Sequence, residues 1–192
     1  MKKILIILAV IVGLLIVTAI GVYGWVKNTY NIMVTMDEEI NGAWAQVENV
    51  LQRRYDLIPN LVETVRGYAS HENEVLTKVT EARARIGGAN TPAARMEAEG
   101  ELSNALSRLL MVVENYPQLK ANTNFIMLQD QLEGTENRIA VERGRYNNAV
   151  MLFNQYTRRF PASLLAGVFN FERRVFFEAP EAAQTAPQVK FN

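Results

Sequence analysis

Residues 30–68 read YNIMVTMDEEINGAWAQVENVLQRRYDLIPNLVETVRGY, and the spacing of their apolar side chains decides the fold. Tyr30, Met33, Asp37, Ile40, Trp44, Val47, Leu51, Arg54, Ile58, Leu61, Val65 and Tyr68 follow one another at intervals of three and four. Ten of these twelve are apolar or aromatic. Such a rhythm lays one stripe along an α-helix and fits no strand. Pro59 removes one rung of the hydrogen-bond ladder, so a kink is expected there rather than an end. Gly67 weakens the helix and Ser70 can cap a new one. A second helix is expected from about His71 to Ile86, with Val75, Val79, Ala82 and Ile86 inward. The phase from Tyr68 through Glu72 to Val75 is unbroken, so the sequence leaves open whether the two helices are one.

Downstream, Gly87-Gly88-Ala89-Asn90 reads as a stop, Thr91 as a cap and Pro92 as a first helical residue. The third helix would bury Leu102, Leu106, Leu109, Val113 and Tyr116, and Pro117 would end it. A fourth starts near Asn122 or Thr123 and keeps the rhythm from Phe125 through Leu128, Leu132, Thr135, Ile139, Glu142, Tyr146, Ala149, Phe153 and Tyr156 to Phe160. A short hydrophobic stretch spans residues 164–177, and the Ala-, Pro- and Gln-rich residues 178–192 read as a mobile tail.

Upstream, residues 4–26 form an uncharged run of 23, of which fifteen are Ile, Leu or Val, between Lys3 and Lys27. A helix needs about 20 apolar residues to cross the hydrocarbon core, so this is a transmembrane anchor. Tyr23 and Trp25 stand where amphipathic rings prefer the headgroups. The competing reading is a cleaved signal peptide, with Val17-Thr18-Ala19 near the cut. The apolar run continues past Ala19 for a full span, which favours the anchor. Lys2, Lys3 and the amino terminus outweigh Lys27, so the positive-inside rule places the helical domain on the outer face of the cytoplasmic membrane. Ala9, Gly13, Val17 and Gly21 recur every four residues, a stripe that can let two such helices approach closely.

The expected fold is all-α: a transmembrane helix, then an elongated up-and-down four-helix bundle over residues 28–177. Helices 1 and 4, at about 40 and 38 residues, are much longer than the two between them. Parts of the long pair, bearing Trp44 on one helix and Phe153 and Tyr156 on the other, would stand uncovered. Either residues 164–177 fold back over them or a second subunit does, so these three are the candidate interaction surface and a homo-oligomer the expected state.

Composition narrows the function. Lys+Arg and Asp+Glu both count 20, so no net charge draws the chain to nucleic acid. Without cysteine, and with His71 the only histidine, thiolate and multi-histidine metal sites lack ligands, as do most nucleophile–base pairs. No calcium-loop spacing or phosphate loop is present. No cofactor and no catalytic residue is expected.

Several ordered stretches resemble the LemA family. They are QRRYDLIPNL (52–61), GYASHE (67–72), ENYPQLKAN (114–122), LEGTENRIA (132–140), RYNNAV (145–150), RFP (159–161) and PQVKF (187–191). The resemblance implies a single-pass bacterial or archaeal membrane protein with a helical bundle and no activity established for the family. Its related member MamQ, a magnetosome protein, implies by analogy a scaffolding or membrane-organising role.

Charged residues on the apolar stripes need partners. With helices 1 and 4 antiparallel, Arg54 falls level with Glu136 to Glu142, so a register-fixing ion pair with Glu136 or Glu142 is expected. Arg53-Arg54 and Arg158-Arg159 read as solvated faces with headgroup contact as the alternative, and His71 as an exposed residue near a cap. Glu97, Glu99, Glu101, Glu133 and Glu136 read as surface charge. A scaffold that organises membrane or recruits an unidentified protein partner is the favoured function. The alternatives are a receptor for a small ligand, with a pocket at Trp44, Phe153 and Tyr156, and an enzyme accessory subunit.

Overall fold

The computed structural model describes residues 2–177; the tail expected over residues 178–192 and the stretch 187–191 lie outside them. The described residues are helical, with no strand. The order is α1 (Lys2–Arg66), α2 (Asn73–Gly88), α3 (Pro92–Val113), the single turn α4 (Pro117–Lys120), α5 (Thr123–Arg158) and α6 (Ala162–Val168), followed by extended chain to Phe177. Anchor and first bundle helix, taken as separate elements from the sequence, are one helix of 65 residues. Nothing between Val26 and Tyr30 breaks it: Lys27, Asn28 and Thr29 carry neither the ring of proline nor the freedom of glycine.

Pro59 lies inside α1. A proline cannot donate to the carbonyl four residues earlier, which here is that of Tyr55. Arg83 of α2 makes up the loss. Its Nε donates to the Tyr55 carbonyl at 3.2 Å, and its guanidinium sits 3.8 Å from the centroid of the Tyr55 ring. The helix ends at Arg66, before Gly67, and α2 begins only at Asn73, so the two are distinct. Glu72, not Ser70, occupies the N-cap of α2, and its carboxylate accepts from the Tyr116 hydroxyl at 2.9 Å. Thr91 caps α3 through the Ala94 N–H, with Pro92 in the first turn. Pro117 opens the turn α4, and Asn122 Oδ1 then accepts the Phe125 N–H at 3.1 Å to start α5.

The described residues divide into two compact units, residues 2–41 with 149–174, and residues 42–148 with 175–177. The second is the bundle proper. Ile58, Leu61, Val62 and Val65 of α1 meet Leu76, Val79, Ala82 and Ile86 of α2, Leu102, Leu106, Leu109 and Val113 of α3, and Phe125 of α5. Contacts at its two ends give the directions. Arg54 meets Glu99 and Glu136 at one end, while Asn122 meets Tyr68 and Tyr116 meets Glu72 at the other. Consecutive long helices therefore run up, down, up and down.

In the other unit, Met33 of α1 is fully buried against Ala162 and Ala166 of α6, with Tyr156, Leu165 and Phe171 around them. Asn170 closes α6 with φ 57°, a left-handed conformation asparagine tolerates, and the Phe171 N–H returns to the Ala166 carbonyl at 2.9 Å. The chain beyond is held by side chains. Asn154 donates to the Arg174 carbonyl at 2.9 Å and accepts its N–H at 3.0 Å. Arg174 reaches Asp37, the acid on the α1 stripe, through two hydrogen bonds of 2.9 and 2.8 Å.

Candidate functional site

A buried ion cluster is the most unusual chemistry in the described residues. Arg54 projects from the apolar stripe of α1 and is 6% exposed; Glu99 of α3 is 4% exposed. The Arg54 Nη1 donates to Glu99 Oε1, lies 2.6 Å from Glu136 Oε2 of α5, and donates to Ser103 Oγ at 3.1 Å. One guanidinium thus ties three helices. Arg54 Nε and Glu99 Oε2 are buried without a hydrogen-bond partner, so the cluster is electrostatically tight but incompletely satisfied.

Burial raises the Glu99 pKa from 4.5 to about 7. Desolvation is the largest cause; the charge of Arg54 opposes it, and the nearby charge of Glu136 adds to it. A carboxyl titrating near neutrality can move a proton, but catalysis also needs a substrate position and a second group in a matched role. Ser103 accepts from Arg54, and the single histidine, His71, is exposed in the turn before α2. Among the described residues no group of three metal-binding side chains occurs. Beside the cluster lies a groove of about 400 Å³, with Leu61, Leu106, Leu110 and Leu132 on its walls and Arg54, Ser103, Gln129 and Glu136 among its polar groups.

The expected Arg54–Glu136 pair is present. The expected alternative, Glu142, is not its partner: Glu142 pairs with Arg145 on its own helix at 2.8 Å. Glu99, read from sequence as surface charge, is instead the buried partner. Its position between the buried Ala98 and Leu102 was the available signal, hidden by the alternating acids around it.

Phe153 is corrected as an interaction surface. It is fully buried, and its ring lies 6.2 Å from that of Phe171. Tyr156 is half-buried in the Met33 cluster. Trp44, also half-buried, meets Tyr146 at 5.5 Å and Phe177 at 6.5 Å between ring centroids. Phe177 is pinned by Asn147, which donates to its carbonyl at 2.9 Å and accepts its N–H at 2.7 Å. The 164–177 stretch therefore covers these aromatics within the chain, which avoids the loss of translational freedom that a second subunit would impose. The groove lies at α3 and α5 and not at Trp44, Phe153 and Tyr156. Ala9, Gly13 and Gly21 stay exposed, with open space around both glycines.

The LemA family model matches residues 43–191. The chain belongs to the LemA family. Family relatives cover most of its length. Magnetosome protein MamQ 2 of Paramagnetospirillum magneticum is 25% identical over 90% of this chain and 74% of its own. MamQ of Magnetospirillum gryphiswaldense is 25% identical over 83% and 70%. Protein LemA of Metamycoplasma hominis is 22% identical over 88% and 78%. The ion cluster and the Tyr55–Pro59–Arg83 arrangement both fall inside the span that defines this LemA-family chain.

Proposed function

We propose that this LemA-family chain is a single-pass, membrane-anchored helical scaffold without catalytic activity, which organises membrane or recruits a protein partner. The observation that carries the proposal is α1. Residues 4–26 of this helix are mostly exposed Ile, Leu and Val, a run long and apolar enough to cross a membrane, and the same helix continues without interruption into the bundle core. The relatives named as magnetosome proteins support a role at membranes. The helical domain lies on the outer face in this proposal, following the lysine bias.

The experiment is sedimentation of cell membranes after alkaline extraction, followed by crosslinking and pull-down from native membrane. The full chain should remain in the pellet and a chain lacking residues 2–27 should leave it; extraction of both would remove the anchor. Self-association now rests on the Ala9–Gly13–Gly21 stripe, since the chain covers its own aromatics. Light scattering of the detergent-solubilised protein should show a homo-oligomer that Gly13→Leu reduces to monomer. A second reading, a small-ligand receptor, draws on the groove beside Arg54, whose apolar walls and polar end suit an amphiphilic molecule.

A further inference from the structure

The short helix α6 is apolar on both its packed and its exposed face. Ala162, Leu165 and Ala166 face Met33 of α1. Phe160, Leu164 and Val168, spaced four apart, point outward and are 81%, 61% and 72% exposed; Phe169 follows at 42%. A solvated helix of two turns would not keep such a face in water.

Its position within the unit identifies what covers it. The apolar run of α1 ends at Val26, and burial of α1 begins at once, with Thr29 at 3% exposure. Thr29 is three residues on, about 4.5 Å along the helix axis. The next residue, Tyr30, holds its ring 4.9 Å from Phe169 and 5.8 Å from Phe171. The C-terminal end of α5, α6 and the chain after it therefore pack on α1 at the level where α1 leaves the hydrocarbon. Exposed basic residues flank the apolar face in sequence, Arg158 and Arg159 before it and Arg173 after it beside one exposed acid, Glu172, and Lys27 is exposed on α1.

We infer that the face formed by Phe160, Leu164, Val168 and Phe169 lies in the headgroup–acyl boundary of the bilayer that α1 spans, with Arg158 and Arg159 on lipid phosphates. The inference rests on the proposed anchor. The exposed apolar face continues the exposed apolar surface of the span, and the cations next to it match phosphate in sign. A helix of seven residues binds a membrane poorly by itself. Here the Met33 packing, the Asn170 closure, the Asn154 clamp and the Arg174–Asp37 pair hold it in place beforehand, so little ordering remains to oppose insertion. The chain then has two membrane contacts, and the second fixes the rotation of α1 about its own axis relative to the surface.

Because the chain has no cysteine, single cysteines can be placed at will. Full-length variants Phe160→Cys, Leu164→Cys, Ile11→Cys and Ser70→Cys would carry an environment-sensitive fluorophore. Each is placed, one chain per disc, in nanodiscs of phosphatidylcholine and phosphatidylglycerol, after circular dichroism has checked its helicity. Two quenchers are compared, a nitroxide high on the lipid acyl chain and aqueous iodide. The labels at Phe160 and Leu164 should lose most of their emission to the nitroxide, as the Ile11 label does, while the Ser70 label responds to iodide alone. Iodide quenching at Phe160 and Leu164 with nitroxide quenching at Ile11 overturns the inference and leaves the anchor standing. Protection from both quenchers also overturns it, by showing that protein covers the face. An Ile11 label untouched by the nitroxide removes the anchor, and the inference falls with it.

Discussion

Arg54 shows how a single side chain can control three helices. It is charged, nearly inaccessible, and surrounded by the groups that compensate it: Glu99, Glu136 and Ser103. Glu136 is exposed, but Arg54 and Glu99 are both buried, so removing Arg54 leaves Glu99 desolvated and unpaired, at a cost of about 3–5 kcal/mol. Arg54→Met should therefore destabilise the detergent-solubilised protein by that order in denaturant melts, and adding Glu99→Leu should recover much of the loss. Additive single and double changes would rule out the coupling. Glu99 also predicts a pH dependence. Its pKa is raised in the folded state, from 4.5 to about 7. Between those values the folded protein retains a proton that the unfolded chain has released, so stability falls as pH rises through this window and levels off above it. Glu99→Gln removes that slope. Thermal melts at a series of pH values should show the variant gaining on the parent protein by a few kcal/mol between pH 4.5 and 7. Parallel curves would show that Glu99 does not titrate there.

At the scale of the element, α1 contains a proline and still runs on, because another helix supplies what the proline removed. Pro59 deprives the Tyr55 carbonyl of its donor, and Arg83 provides one from α2 while stacking on the Tyr55 ring. A hydrogen bond from a charged donor contributes about 1.5–3 kcal/mol. Arg83→Ala should cost about that much in a background containing Pro59. It should cost less in Pro59→Ala, where the Tyr55 carbonyl regains the N–H of residue 59. The double-mutant cycle is read from thermal unfolding followed by circular dichroism, and an equal cost in both backgrounds would separate the two residues. The C-terminal stretch uses a related device. Asn147 and Asn154 each hold one backbone position through both an acceptor and a donor, which gives an extended segment fixed partners without a sheet.

At the scale of the whole molecule, the defining feature is that the apolar run and the first bundle helix share α1. Neither proline nor a break in the helix separates the apolar run from the first bundle residues. A cysteine at Ser70, exposed in the turn after α1, should react with an impermeant thiol reagent on intact cells. Labelling only after lysis would place the bundle on the inner side and reverse the expected topology. Long domains cross a membrane largely regardless of their own charge, so the few lysines flanking the apolar run carry the decision.

The sequence by itself determined the helices, the faces they bury and a run long and apolar enough to cross a membrane. Those properties depend on neighbours three and four residues away or on the composition of a continuous run. The stripes through Ile58, Leu61 and Val65 and through Leu102, Leu106 and Leu109 are buried as their spacing requires. Even there the phase of α5 drifts: Val150 and Thr157 are buried where Ala149 and Phe160 were expected. Only the tertiary structure decided which acid meets Arg54, what satisfies Tyr55 and what covers Phe153 and Trp44. The deciding contacts join residues 45 apart for Arg54–Glu99, 28 apart for Arg83–Tyr55 and 137 apart for Arg174–Asp37. Periodicity says which way a side chain faces. It does not say which of several acids on the facing helices stands at the same height, because that is set by loop lengths and by the packing of the core.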